Sequence, residues 1–320
     1  MARWRWHTSR FEFLVVPMTI LLLGKDGQVG WQLQRSLAPH GEVLALGRAE
    51  CDLSNLDQLR SVVRQVRPKV IVNAAAYTAV DRAESESLLA ARINAEAPAV
   101  LAEEAASLAA LLIHYSTDYV YDGQKTSPYV ESDPTAPQSV YGRTKLAGEE
   151  AIRASGCRSL IFRTSWVFGA RGGNFVKTIL RLARERDTLS VVDDQIGAPT
   201  PAALTATVTG LVLGMERYGA RAENGKNQTY HLAASSFVSW HQFARTIVEQ
   251  ASATPGFNLR LKSENIVAIP TSGYPTPAVR PANSRLDCSR LESDFGLQMP
   301  DWQPYLARMM QLLALKQNGY

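Results

Sequence analysis

Cysteine is scarce: three in 320 residues, Cys51, Cys157 and Cys288. They are isolated and odd in number, with no C-x-x-C spacing. That excludes a disulfide framework and a thiolate zinc site, and it fits a reducing compartment, the cytoplasm. Long apolar runs are missing too. None reaches the ~18 residues of a membrane span, so no membrane partner is expected. Charge of one sign is also lacking, with 34 Lys and Arg against 30 Asp and Glu and a net charge of +4. Residues 1–17 hold Arg3, Arg5 and Arg10 against Glu12 (3 − 1 = 2), so half of that net charge lies in the first 17 positions. The remainder is near neutral and carries no basic stripe, which argues against a nucleic-acid partner. There is no internal repeat and no low-complexity segment. What remains is ordinary globular composition, 46% hydrophobic and 20% charged, enough for one large or two modest domains.

The first residues, MARWRWHTSRFEFLVVPMTILLLGKDG, imitate a secretory leader. Pro17 splits the apolar run, however, and no small-residue cleavage site follows. Thr19–Leu23 is also needed as the first strand. Met18 reads as a natural start, and residues 1–17 as a disordered extension. Beyond it, short apolar runs alternate with helical patterns. Strands are expected at Thr19–Leu23, Glu42–Leu46, Val70–Asn73, Leu111–Ser116 and Ser159–Arg163. Helices are expected after the first glycine loop, at Leu56–Val66 (opened by Ser54 or Asn55), from about Leu88 to Ala109, and at Ser139–Ala154. Such alternation predicts parallel strands buried on both faces, a Rossmann-type doubly wound α/β sheet. After about Arg163 the alternation weakens and Pro, Gly and aromatic residues become frequent. Residues 18–165 are therefore read as a dinucleotide-binding domain, joined by a returning strand near 229–233. Residues 166–320 are read as a smaller α/β substrate domain.

Gly24, Gly27 and Gly30 form G-x-x-G-x-x-G directly after a strand and at the start of a helix. Glycines permit a tight turn and close approach to a pyrophosphate, and the helix N-terminus offers N–H groups and a positive dipole end. The flanking strand and helix favour nucleotide binding over a purely structural turn. Gly24, Gly27, Gln28, Val29 and Gly30 are the candidate contacts. After the second strand stands Arg48, where an acid would hold a ribose 2′-OH. An arginine there suits a 2′-phosphate, so NADPH is expected, with NADH as the alternative; Arg48 as a solvated loop charge stays open. Asp52 and Leu53 lie where a carboxylate could meet an adenine amino group, and Asp52 reads equally well as a turn residue. Ala74, Ala75 and Ala76 end the third strand with small side chains. A cofactor can lie across them, or they can serve close strand–helix packing.

The run SVYGRTKLAG places Tyr141 and Lys145 four residues apart, on one face of a helix. A second Y-x-x-x-K, Tyr121 to Lys125, encloses Asp-Gly, a turn signal. The first pair follows a strand ending in Ser116-Thr117-Asp118 by about 25 residues. A free phenol has a pKa of ~10, and a neighbouring ammonium lowers it. Tyr141 can then protonate an oxygen while hydride reaches its carbon. Lys145 can also hydrogen-bond a nicotinamide ribose, and Thr117 can bond the substrate carbonyl. The bland alternative is a solvent-facing helix pair worth a few tenths of a kcal/mol.

HYSTDYV (114–120), SVYGRTKLAGE (139–149), FRTSWVFG (162–169), DDQIGAPT (193–200) and YPTPAVRPANSRL (274–286) resemble the dTDP-4-dehydrorhamnose reductase family. That family belongs to the extended short-chain dehydrogenases/reductases. The resemblance runs from Met18 almost to the C-terminus. It implies an NADPH-dependent oxidoreductase that reduces the C4 ketone of dTDP-4-dehydro-β-L-rhamnose. This is the last step of dTDP-L-rhamnose synthesis, which serves lipopolysaccharide O-antigen. It places catalysis on Thr117, Tyr141 and Lys145, and substrate contacts on Thr117, Asp118, Tyr141 and Trp166. Gln195 and the 280–285 segment would meet the nucleotide end, with Arg280 or Arg285 facing a diphosphate or serving as a structural ion-pair partner. Some members dimerise through a magnesium ion held by glutamates, one in the first helix. Gln32 stands at that position here, so no metal is expected and a homodimer is left open. Two rivals share the fold. A non-catalytic regulatory subunit is disfavoured by intact Thr117, Tyr141, Lys145 and Trp166. An epimerase or 4,6-dehydratase is disfavoured because Tyr119 follows Asp118, where a dehydratase would carry Asp-Glu.

Overall fold

The computed structural model describes residues 18–217 and 227–317; the expected extension at 1–17 lies outside them. The first elements in chain order are β1 (Thr19–Leu23), α1 (Gln28–Leu37), β2 (Glu42–Leu46), α2 (Leu56–Val66), β3 (Val70–Asn73), α3 (Val80–Ala83) and α4 (Ser87–Ala91). α5 (Ala97–Leu108), β4 (Leu111–Thr117), α6 (Val140–Ala154) and β5 (Arg158–Thr164) follow. Successive side chains of a strand point to opposite faces. In β1, Ile20 and Leu22 therefore enter one core, and Leu21 and Leu23 the other. Only a central strand of a sheet covered on both sides buries such a run.

Six strands form that sheet in the order Asn227–His231, β5, β4, β3, β1, β2, every pair parallel. One face packs against α1 and the helix Ala202–Arg217, through Leu33, Leu37, Val208 and Val212. The opposite face packs against α2, α5 and α6, through Leu59, Val63, Leu101 and Ile152. The doubly wound parallel sheet is thus present. The order reverses between β1 and β3, and in such sheets ligands bind outside the carboxyl ends of the strands at that switch.

The alanine-rich helix expected from Leu88 to Ala109 is interrupted. Between α4 and α5, residues Arg92–Glu96 make a π-helical turn. Pro98 has no N–H to give to the preceding turn. Asn94 meanwhile turns its amide inward, accepting from Tyr77 N–H at 2.9 Å and donating to the Tyr77 carbonyl and to Thr144 Oγ1. Beyond β5 the strands are short. Ile196–Gly197 lies between Val238–Ser239 and Asn283–Ser284, and Leu189–Val192 pairs with Ile266–Ile269. No helix among the described residues is long and apolar enough to cross a membrane.

Candidate active site

The glycine loop closes on itself. Gly24 has φ +85°, in the left-handed region, and a Cβ there would lie 2.8 Å from Ala75 N. A Cβ on Gly30 would overlap the Gly24 carbonyl oxygen. Gly27 precedes α1 with no side-chain cap, and the first turn holds no acid. Gly27 N–H donates to the Gly24 carbonyl at 3.0 Å, and the N–H groups at Gln28 and Val29 are left at an uncapped helix start, which fits an anionic pyrophosphate. Gln28 spans toward the segment after β5: its Nε2 donates to the Val167 carbonyl at 3.3 Å, and its Oε1 accepts from Asn174 at 2.8 Å.

Arg48 is exposed in the turn after β2. The acid absent directly after β2 arrives at Glu50, which accepts from Gly47 N–H at 2.9 Å and pairs with Lys25. Asp52 proves to be the turn residue: its Oδ1 accepts from Ser54 N–H and Oγ–H at 2.9 Å. Those bonds, the backbone one first, hold its carboxyl below the usual range. Leu53 is buried, whereas Ala74, Ala75 and Ala76 are half-buried at the carboxyl end of β3, beside Gly24. Of the two expected openers of α2, Asn55 is the cap, accepting from Gln58 N–H.

Thr117 ends β4, Asp118 opens the short 3-10 turn Asp118–Val120 that follows, and both are buried. Thr117 Oγ1 donates to Asp118 Oδ1 at 2.9 Å and accepts from Tyr119 N–H at 3.2 Å. Asp118 Oδ2 has no hydrogen-bond partner among the described residues. Burial pushes the Asp118 carboxyl up to about 6, while Ser284 and Thr117 beside it pull it back.

α6 is aimed at this point by its own sequence. Ser139 caps it, accepting from Gly142 N–H at 3.1 Å. Gly142 and Gly148 let it approach so closely that a Cβ would overlap the carbonyl oxygens of Tyr119 and Asn94. Tyr141 sits edge-on to Tyr119, ring centroids 5.5 Å apart. Burial first, and the Asp118 charge, push the phenol up to about 12, against a hydrogen bond with Thr117. Here the structure corrects the expectation that Lys145 acidifies the phenol. Lys145 is buried, and its Nζ goes instead to the Tyr115 carbonyl at 2.6 Å and to His114 Nε2 at 3.0 Å. The physical reason is that β4 offers Nζ a backbone carbonyl and a ring nitrogen within hydrogen-bond reach. The second Y-x-x-x-K does not form a pair: Tyr121 bonds His231, and Lys125 pairs with Asp133.

Trp166 takes a left-handed backbone, φ +46°, a strained conformation for a bulky residue. Its indole stacks on Trp240 at 3.5 Å between centroids, and a Cβ on Gly197 would come within 2.6 Å of it. Gln195 is buried and donates to Thr271 Oγ1 at 3.0 Å. Arg280 is engaged by both oxygens of Asp81, at 2.9 and 2.7 Å. Arg285 bonds Asn283 and the Thr126 carbonyl. Sequence reasoning missed His114, Trp240, Gly197 and Glu50. Each is brought in by tertiary folding, and no local spacing announces it. Among the described residues no cluster of His, Cys, Asp or Glu is arranged to hold a metal.

Residues 18–315 match the RmlD substrate binding domain family. A dTDP-4-dehydrorhamnose reductase of Shigella flexneri is 47% identical over 303 residues, covering 92% of this chain and 98% of that protein. One from Burkholderia thailandensis is 48% identical over 286 residues, covering 89% and 96%. The crystal structure of dTDP-4-dehydrorhamnose reductase from Bacillus anthracis, in complex with NADP, superposes with a TM-score of 0.81 at 33% identity, covering 92% and 98%. The chain therefore belongs to the RmlD family, with the dTDP-4-dehydrorhamnose reductases.

Proposed function

We propose that the chain reduces the C4 ketone of dTDP-4-dehydro-β-L-rhamnose to dTDP-L-rhamnose with NADPH, NADH being the alternative donor. The observation that carries this is the convergence of Thr117, Asp118 and Tyr141 at the carboxyl end of β4, in the same sheet edge as the uncapped start of α1. The backbone at Gly27–Val29 would hold the cofactor's pyrophosphate, Ala74–Ala76 would underlie it, and Arg48 would meet a 2′-phosphate. When bound, the reduced nicotinamide supplies hydride to the ketone carbon.

Tyr141, raised to about 12, keeps its proton at neutral pH and delivers it from Oη to the developing alkoxide. Thr117 Oγ1–H turns from Asp118 to the same oxygen and stabilises its charge. Asp118 Oδ2, unpartnered among the described residues, accepts a sugar hydroxyl. Trp166, braced by Trp240, covers a sugar face. Gln195 and Arg280 meet the nucleotide end, Arg280 already oriented by Asp81. Lys145 aims its remaining N–H at the nicotinamide ribose. Residues 18–165 with the strand Asn227–His231 form the cofactor unit, and most of 166–320 receives the sugar. The free cysteines suit a cytoplasmic setting.

The test supplies dTDP-4-dehydrorhamnose, made in situ, and follows loss of nicotinamide absorbance with each cofactor. Wild type should turn over. Tyr141→Phe should lose at least the ~10²-fold typical of a general acid while retaining NADPH binding. A silent wild type, or a Phe variant near wild-type turnover, overturns the reading.

A further inference from the structure

Thr164 closes β5 and is only 9% exposed, yet its Oγ1 has no hydrogen-bond partner among the described residues. Buried hydroxyls are normally paired, and one that is not calls for a reason. Thr164 is the register partner of Thr117 across the parallel pair β4 and β5. Such partners lie about 4.8 Å apart and point to the same side of the sheet. One step down that face, Tyr115 and Phe162 enter the core, and the Tyr115 hydroxyl is matched by Thr209 at 2.6 Å. Thr117 is matched by Asp118 and by Tyr119 N–H. Ser165, the next hydroxyl along the chain, donates to the Ala198 carbonyl at 3.1 Å. The unpaired hydroxyl thus stands at the carboxyl end of β5, in register with the candidate catalytic threonine.

The strand order indicates what reaches that point. With the pyrophosphate at the start of α1 and Arg48 at the 2′-phosphate after β2, the adenosine half of the cofactor lies toward β2. The nicotinamide half then runs the other way, over the ends of β3, β4 and β5. Three strand spacings, about 14 Å, separate β1 from β5, a span that the nicotinamide ribose and its ring can bridge. Gln28 ties the two ends together, since from the start of α1 its Nε2 donates to the Val167 carbonyl, three residues past Thr164. A carboxamide offers one acceptor and two donors, and a hydroxyl can serve either. We propose that Thr164 Oγ1 hydrogen-bonds the carboxamide of the nicotinamide ring. The proposal rests on the cofactor placement given above. A ring held by its carboxamide cannot turn about its glycosidic bond, so Thr164 fixes which face meets the ketone beside Thr117 and Tyr141.

Titration calorimetry without sugar tests this. Thr164→Val keeps the branched shape that suits a strand and removes the hydroxyl. NADP⁺ and 2′-phospho-ADP-ribose, the same molecule lacking nicotinamide, are titrated into wild type and variant. NADP⁺ should bind the Val variant about 5–10-fold more weakly, the size of one uncharged hydrogen bond. 2′-Phospho-ADP-ribose should bind both proteins equally. Thr164→Ser, which keeps the hydroxyl, should retain wild-type affinity for both ligands. Without ligand, the Val variant should melt at or above wild type, because a methyl replaces an unpaired buried hydroxyl. Unchanged NADP⁺ affinity in the Val variant, or a loss shared by 2′-phospho-ADP-ribose, overturns the proposal. So does a marked fall in its ligand-free melting temperature, which would give the hydroxyl a partner within the protein. A wild type that binds neither ligand overturns the cofactor placement and this proposal with it. Because neither ligand is turned over, a failure to reduce dTDP-4-dehydrorhamnose would count against the proposed activity alone.

Discussion

Burial sets what Asp118 contributes and what it costs. Its carboxyl is pushed up to about 6 from an ordinary 3.8. A raised acid binds its proton more tightly folded than unfolded. Its contribution to stability is therefore full below pH 3.8 and is lost as pH rises through about 6. The difference corresponds to about 3 kcal/mol at most, carried by the folded protein at pH 8. Asp118→Asn should raise the melting temperature clearly at pH 8 and little at pH 4, while affinity for the sugar substrate falls. Melting curves at the two pH values decide, and equal shifts at both would remove Asp118 as the cause. The sequence pointed to Thr117, Asp118 and Tyr141 as a set, because β4, its end and the next helix are all legible in the residue pattern. It gave no hint that Lys145 Nζ reaches His114 and the Tyr115 carbonyl. Those partners come from β4, brought beside α6 only by folding.

Close approach is the property of α6 that positions its side chains. Gly148 faces the π-helical turn at Arg92–Glu96, where a Cβ would overlap the Asn94 carbonyl oxygen. Gly156, by contrast, has φ +68° after the end of the same helix, and nothing lies within 4 Å of a Cβ there. Gly148→Ala should therefore cost about 1–3 kcal/mol by overpacking and lower turnover, since Lys145 and Tyr141 ride on the displaced helix. Gly156→Ala should cost about 1 kcal/mol from backbone strain alone and leave turnover unchanged. Urea unfolding with the reductase assay checks both; similar turnover in the two variants would show that α6 has slack. The π turn itself was not legible in advance. An alanine-rich stretch reads as one helix, and the break comes from Asn94 finding partners in Tyr77 and Thr144, far along the chain. The short strands after β5 were missed for a related reason: two-residue pairings leave no period to detect.

Across the molecule, the buried neutral histidines govern acid stability. Burial, then the Arg163 charge, brings His231 down from 6.5 to about 4. A depressed histidine adds stability that is present above pH 6.5 and lost as pH falls toward 4. At pH 5 the loss is about 2 kcal/mol. His114 acts in the same direction, and Asp118 in the opposite one, returning about 1 kcal/mol. Melting temperature should therefore fall between pH 7 and pH 5, and His231→Gln should flatten that slope; a slope unchanged in the variant would assign it elsewhere. The strand order also has a consequence for synthesis. β5 is made by residue 164, yet its outer neighbour comes from Asn227–His231. Until the ribosome has delivered that distant stretch, a nascent chain exposes a row of unsatisfied backbone groups on β5, a template for pairing with other chains. Prematurely terminated products of this message should therefore be aggregation-prone, held by chaperones or degraded, and not persist as benign half-proteins.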